Sequence, residues 1–173
     1  MVFSFRIEVY IGALLISGSY DLEHYRRLSV VLNSGLGLQH YVTLRSAIIA
    51  PIHRPQQAER VSHLLVSRSQ MQVVATLTEP APPPDYPREE MLTRRDVNRV
   101  MFFTPNFGIQ ANYHKRPDLS LEESLDGTTD DFIALSDAHI YPLEGGQPIV
   151  RDFVCLGRAH ILAAYLAAHH ESI

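Results

Sequence analysis

The feature that most constrains this 173-residue chain is that its first half recurs, block by block and in order, in its second half. Arg6–Tyr10, Leu15–Tyr20 and Leu28–Asn33 match Arg99–Phe103, Gly108–Tyr113 and Leu121–Asp126 at an offset of 93. Tyr41–Ala47 and Ile49–Pro51 match Phe132–Ala138 and Ile140–Pro142 at an offset of 91. Late in each half, Val66-Ser-Arg68 and Met71 match Leu156-Gly-Arg158 and Ile161 at an offset of 90. Small changes of offset confined to loops are what a diverged duplication leaves behind. The chain therefore divides into a first β module over 1–78, a connecting segment over 79–97 and a second β module over 98–173.

Each copy reads as about five short strands and one short helix. In the second copy Val100–Phe103 and Ile109–Tyr113 form a hairpin. Ser120-Leu-Glu-Glu123 is a capping-box pattern that opens a helix. The helix is expected to end at Asp126-Gly127, with the glycine as a left-handed cap. Phe132–Tyr141 alternates as a strand. Gly145-Gly146 supplies the positive-φ turn into Ile149–Leu156, and His160–Leu166 closes the unit as a strand or short helix. Strand density this high in about 70 residues predicts a small barrel or half-open sandwich.

Four of the five residues from Pro80 to Pro84 are proline, so this stretch favours an extended spacer and cannot continue a sheet ladder. Arg88–Val97 is expected to form a short helix leading into the second copy. The first seventy-nine residues carry seven arginines and five acids, whereas residues 96–173 carry five cations and eleven acids. The net charge of −4 gives no global attraction to nucleic acid. The single cysteine, Cys155, excludes an internal disulfide and fits a reducing, cytoplasmic setting. The longest apolar run near the start, Tyr10–Ile16, falls well short of the roughly 20 residues a membrane helix needs.

At Phe132-Ile-Ala-Leu-Ser-Asp-Ala138 and Cys155-Leu-Gly-Arg-Ala-His-Ile161 the module resembles an Sm-like (SH3-type) barrel. Arg27-Leu-Ser-x-x-Leu-Asn33 together with the F-I-x-L-x-D-A strand also resembles a set of uncharacterised bacterial proteins. Where the Sm-like family carries a loop asparagine, this chain has Tyr41 and Phe132. The resemblance implies a mainly β fold: a tandem duplication of a small five-stranded Sm-like/SH3-type barrel with a short helix in each copy. It also nominates Arg158 and His160, with Arg68 as the first-half counterpart, at a turn that contacts single-stranded RNA in that family. Tyr41 and Phe132 are the aromatic rings on which bases would stack. The competing reading makes Tyr41 and Phe132 core strand residues and Arg158 a solvated turn cation.

No catalytic constellation, cofactor fingerprint or metal site emerges. Asp126, Thr128 and Asp130 begin a calcium-loop spacing, but the glycine and glutamate that such a loop requires are absent. The nine histidines show no helical ligand spacing, and Cys155 sits within an apolar strand with no partner to lower its pKa. The expectation is thus a non-enzymatic interaction or assembly module, its partner another copy or another protein. Single-stranded RNA binding by the more basic first module is the alternative.

Overall fold

The computed structural model describes residues 1–34, 39–87 and 95–167. It is mainly β, with ten strands in one antiparallel sheet that does not close on itself. In chain order the first half gives β1 (Phe3–Ile11), β2 (Leu14–Leu22), α1 (Leu28–Asn33), β3 (Tyr41–Pro51), β4 (Glu59–Ser67) and β5 (Val73–Thr78). The second gives β6 (Asp96–Phe103), β7 (Phe107–Lys115), α2 (Leu121–Gly127), β8 (Phe132–Pro142), β9 (Ile149–Gly157) and β10 (Ala163–Leu166). The spatial order is β10-β6-β7-β8-β9-β5-β1-β2-β3-β4. The same five-strand order therefore occurs twice, and the two sets meet where β9 pairs with β5.

The local structure repeats as well. One-turn 3-10 segments, Arg68–Gln70 and Arg158–His160, precede the last strand of each half. Ser46 and Asp137 both adopt φ of 48°, a left-handed conformation unusual for residues with a Cβ. Each marks a bulge, against β2 and β7 respectively. The bulge explains the side-chain pattern of β8. Ile133 and Leu135 are buried before it and Ala138 and Ile140 after it, so the extra residue resets parity and keeps apolar groups inward. Val42, Leu44 and then Ala47 do the same in β3. An arginine holds each bulge carbonyl: Arg6 Nη1 donates to Ser46 O at 3.4 Å and Arg99 Nη1 to Asp137 O at 2.6 Å.

Two apolar cores result, one for each set of strands. The strands that join them contribute to both, because successive side chains point to opposite faces. Val74 and Cys155 face the first core, while Val73, Ala75, Val154 and Leu156 face the second. Tyr10 of β1 also reaches the second core, and Phe132 of β8 the first. Each fully buried Val, Leu or Phe contributes about 1.5–3 kcal/mol, so this shared seam ties the halves together.

Several expectations need correction. The strands form one continuous sheet rather than two separately closed barrels. Ser120 and Glu123 do form the reciprocal capping box, but α2 runs through Gly127 and is followed by Thr128 at φ of −77°, so no left-handed glycine cap is used. Of the helix expected over 88–97, residues 88–94 lie outside those described, and Asp96 and Val97 open β6 instead. Gly145 and Gly146 take φ of 100° and 123° in the β8–β9 turn, as expected. The proline segment is pinned to the first half: Tyr86 packs edge-on against Tyr25 at 4.7 Å, and Tyr25 Oη donates to Glu79 at 2.8 Å.

Candidate functional site

The most specific side-chain chemistry lies at the junction between the halves. Val73, Val74 and Ala75 pair with Leu156, Cys155 and Val154, and Gly157 N–H donates to Gln72 O at 2.8 Å. The approach is close enough that a Cβ on Gly157 would sit 2.5 Å from Met71 O, so only glycine fits there.

Three polar clusters lock this seam. Gln72 Nε2 donates to Asn106 Oδ1 at 2.8 Å, and buried Thr104 donates to Gln72 Oε1 at 2.8 Å. Arg151 grips buried Glu8 through Nε at 3.0 Å and Nη2 at 3.1 Å, and the Tyr10 hydroxyl donates to the same carboxylate. Burial, followed by the neighbouring Glu8 charge, pushes the Tyr10 hydroxyl far above the usual phenol range. At the third cluster, Asn33 accepts from Phe132 N–H and donates to Phe132 O, both at 2.8 Å. Arg68 bridges to Asp131 at 2.9 Å, donates to Leu32 O and lies over the Phe132 ring, 5.3 Å from its centroid.

This geometry places the residues nominated from sequence along one rim. Tyr41 pairs with Ser67 at the β3–β4 end of the sheet, and the residue is 56% exposed. Arg68 N–H bonds His40 O next to it, and Arg158 N–H bonds Asp131 O in the equivalent place. Phe132 is buried beneath Arg68. Arg158 Nε donates to Asp130 O at 2.8 Å, and His160 Nε2 lies 2.7 Å from Ser69 O. The fold thus brings Arg68, Phe132, Arg158 and His160 to the junction, and leaves Tyr41 at the free end.

Gln72, Thr104, Asn106, Glu8, Tyr10 and Arg151 were not singled out from sequence, because a repeat is recognised by what its copies share. The available signal was the opposite: positions polar in one copy and apolar in the other. Gln72 corresponds to Leu162, Thr104 to Ile11 and Asn106 to Ala13. Glu8 corresponds to Met101, Tyr10 to Phe103 and Arg151 to Val61.

The two terminal strands are the other candidate surface. Among the described residues β4 and β10 each have one strand neighbour, so no described strand pairs with the other side of either backbone. Their apolar side chains are exposed: Leu65 at 65% where its counterpart Cys155 is 0%, and Leu162, just before β10, at 68% where Gln72 is 5%. Tyr165 and Leu166 are exposed as well.

A cleft of about 1290 Å³ lies between the proline segment and β7, α2 and β8, with Arg27, Glu79, Pro82, His114, Lys115 and Ser136 among its lining. Within it His114 Nε2 lies 3.1 Å from Ser136 Oγ and the Tyr113 hydroxyl 2.7 Å from Ser124 Oγ, while the buried Thr76 hydroxyl on its wall has no hydrogen-bond partner among the described residues. Among the described residues no group of three or more His, Cys, Asp or Glu is placed to hold a metal ion. No helix among them is long and apolar enough to cross a membrane. Burial pushes the Cys155 thiol up to about 12.

Comparison of the chain with protein-family models, with curated protein sequences and with solved structures finds no match.

Proposed function

We propose that the protein is a non-enzymatic interaction and assembly module, built from two diverged copies of one five-stranded Sm-like/SH3-type unit, whose working surfaces are the two open sheet edges. The observation that carries this reading is the exposure of Leu65, Tyr165 and Leu166, and of Leu162 just before β10, along strands that pair on one side only among the described residues. Open edges are ordinarily blunted with charge, proline or a covering element, because a bare apolar edge templates pairing with another chain. Exposed Glu59, Arg60 and His63 charge the first part of β4, but at Leu65 and along β10 the apolar residues sit beside the free backbone, the combination that strand-addition recognition uses: main-chain hydrogen bonds for affinity and side chains for specificity.

The RNA reading draws on one observation, the exposure of Tyr41. Against it, Arg68 and Arg158 already donate within the chain, to Leu32 O and Asp131 and to Asp130 O. Edge pairing is therefore favoured. Oligo-U binding at about 50 mM salt, where electrostatic affinity is strongest, would reverse that preference.

Photo-crosslinking amino acids at Leu65 and Leu162, with a control at Val97, test the edge reading in purified protein and in the producing cell. Crosslinks to a protein chain from the edge positions, absent from the control, are expected. No edge crosslink in either setting would overturn the reading.

A further inference from the structure

We propose that the cleft between the proline segment and β7, α2 and β8 binds a small organic anion, a molecule with an apolar body and a carboxylate or phosphate head. This site is separate from the sheet edges. Its volume of about 1290 Å³ is ample for such a molecule, and junctions between structural units are where ligand pockets commonly form.

The floor of the cleft is one row of side chains across four neighbouring strands. His114 Nε2 of β7 lies 3.1 Å from Ser136 Oγ of β8, and Ser136 pairs with Phe153 of β9. Thr76 of β5 stands one step beyond the Ala75–Val154 pair, on the side of Phe153. The repeat shows what opened this row. In the first half Asp21 stands for His114, Arg45 for Ser136 and His63 for Phe153. There Arg45 Nε donates to Asp21, and the ion pair lies along the row. Serine in place of arginine takes the longest side chain off the floor. Phe153, Leu119 and Pro82 are among the apolar groups around the space that remains.

Two observations assign the occupant. The Thr76 hydroxyl is buried and has no hydrogen-bond partner among the described residues, an arrangement that costs stability until the group is paired. Thr76 lines the cleft, and rotation about its χ1 can present the hydroxyl to a ligand there. The charges around the cleft supply the second observation. Arg27, Arg95 and Lys115 line it and form no ion pair among the described residues, while Arg116 is paired with Asp118. Of the three acids in the lining, Glu79 accepts from the Tyr25 hydroxyl and Glu123 from Ser120 N–H. Three cations outside any ion pair thus face one acid, Asp130, whose carboxylate accepts no side-chain hydrogen bond among the described residues. An anionic head meets both the cations and the Thr76 hydroxyl, and carboxylate and phosphate each suit arginine. The body then lies over Phe153.

The experiment titrates the full chain with anilinonaphthalene sulfonate, a fluorescent anion with an apolar body, at about 50 mM salt, where charge attraction is little screened. Saturable binding at one site per chain is expected, with Kd of about 1–100 µM. Decanoate and decyl phosphate, added as competitors, distinguish the two heads, and at least one should displace the dye. His114→Asp with Ser136→Arg installs the ion pair that the first half already accommodates, so this variant should fold and should weaken binding by about tenfold or more. Arg27→Gln with Lys115→Gln should weaken it by about tenfold. Thr76→Val keeps the shape and removes the unpaired hydroxyl. It should raise the urea midpoint yet weaken the competing anion by about fivefold, a combination that a purely structural role would not produce. A wild type that binds no dye saturably overturns the proposal, as does failure of both competitors. Unchanged affinity in the filled variant places the dye elsewhere and overturns it too. Unchanged affinity in Arg27→Gln with Lys115→Gln, or in Thr76→Val, overturns the assignment of an anion held at these groups.

Discussion

Replacing Arg151 with methionine probes the seam most sharply. It removes both charge-assisted hydrogen bonds to Glu8, at 3.0 and 3.1 Å, and leaves a buried carboxylate with only the Tyr10 hydroxyl for company. Breaking a buried ion pair from one side costs about 3–5 kcal/mol. The Arg151 side chain keeps 28% of its exposure, so the lower end, about 3 kcal/mol, is the better figure. For a chain of this length that lowers Tm by about 6–12 °C. The replacement that rescues it is specified by the other half: Glu8→Met, Tyr10→Phe and Arg151→Val together install the residues found at Met101, Phe103 and Val61. Exchanging a buried ion pair for packed apolar groups is often neutral or stabilising, so the triple variant should recover to within about 1 kcal/mol of wild type. Urea unfolding of the wild type, Arg151→Met and the triple variant measures both steps. A loss below about 1 kcal/mol for Arg151→Met, or a triple variant less stable than Arg151→Met, would refute the reasoning.

Gly157→Ala drives a Cβ toward Met71 O and should cost about 2 kcal/mol or more, read from the urea midpoint. Ser120→Ala removes the α2 capping box and should cost about 1 kcal/mol, with Ser120→Asp retaining most of the stability. The hydrogen bond from Arg45 holds the Asp21 carboxyl below its ordinary range, so the stability it confers is present above the unfolded value near 3.9 and is lost as pH falls through the lowered folded value. Asp21→Asn should therefore flatten the acid limb of a stability–pH curve and leave its slope above about pH 5 unchanged. With its thiol pushed up to about 12 by burial, Cys155 should resist thiol reagents at about pH 8 in the folded protein and react at once in urea.

The repeat was legible because its carriers are local. The Arg27–Asn33 and Phe132–Ala138 blocks lie within single elements, and the changes of offset fall in loops between them. The Ser120–Glu123 cap was legible for the same reason, since both partners sit within one turn. The Gly127 cap was misread because glycine permits a left-handed cap without requiring it, and Thr128 takes over the helix end. The seam was invisible from sequence for a different reason. Glu8 and Arg151 lie 143 positions apart, Gln72 and Asn106 lie 34 apart, and nothing local links them. The rim residues were found individually, through Arg158 and its counterpart Arg68. That the fold presses Arg68 over Phe132 but leaves Tyr41 bare follows only from which edge is paired.

Hydrogen exchange of the amides in β4 and β10 at low micromolar and near-millimolar protein, and again with any partner the edge crosslinks recover, tests the central claim, that the open edges are working surfaces, most directly. The amides of β5 and β9, sealed inside the chain, should be protected at both concentrations. The N–H groups of Leu64–Ser67 and Ala163–Leu166 that point away from β3 and β6 should gain protection as the concentration rises or the partner is added. Outward-pointing edge amides that exchange equally fast under all these conditions, beside a protected β5–β9 seam, would contradict the account.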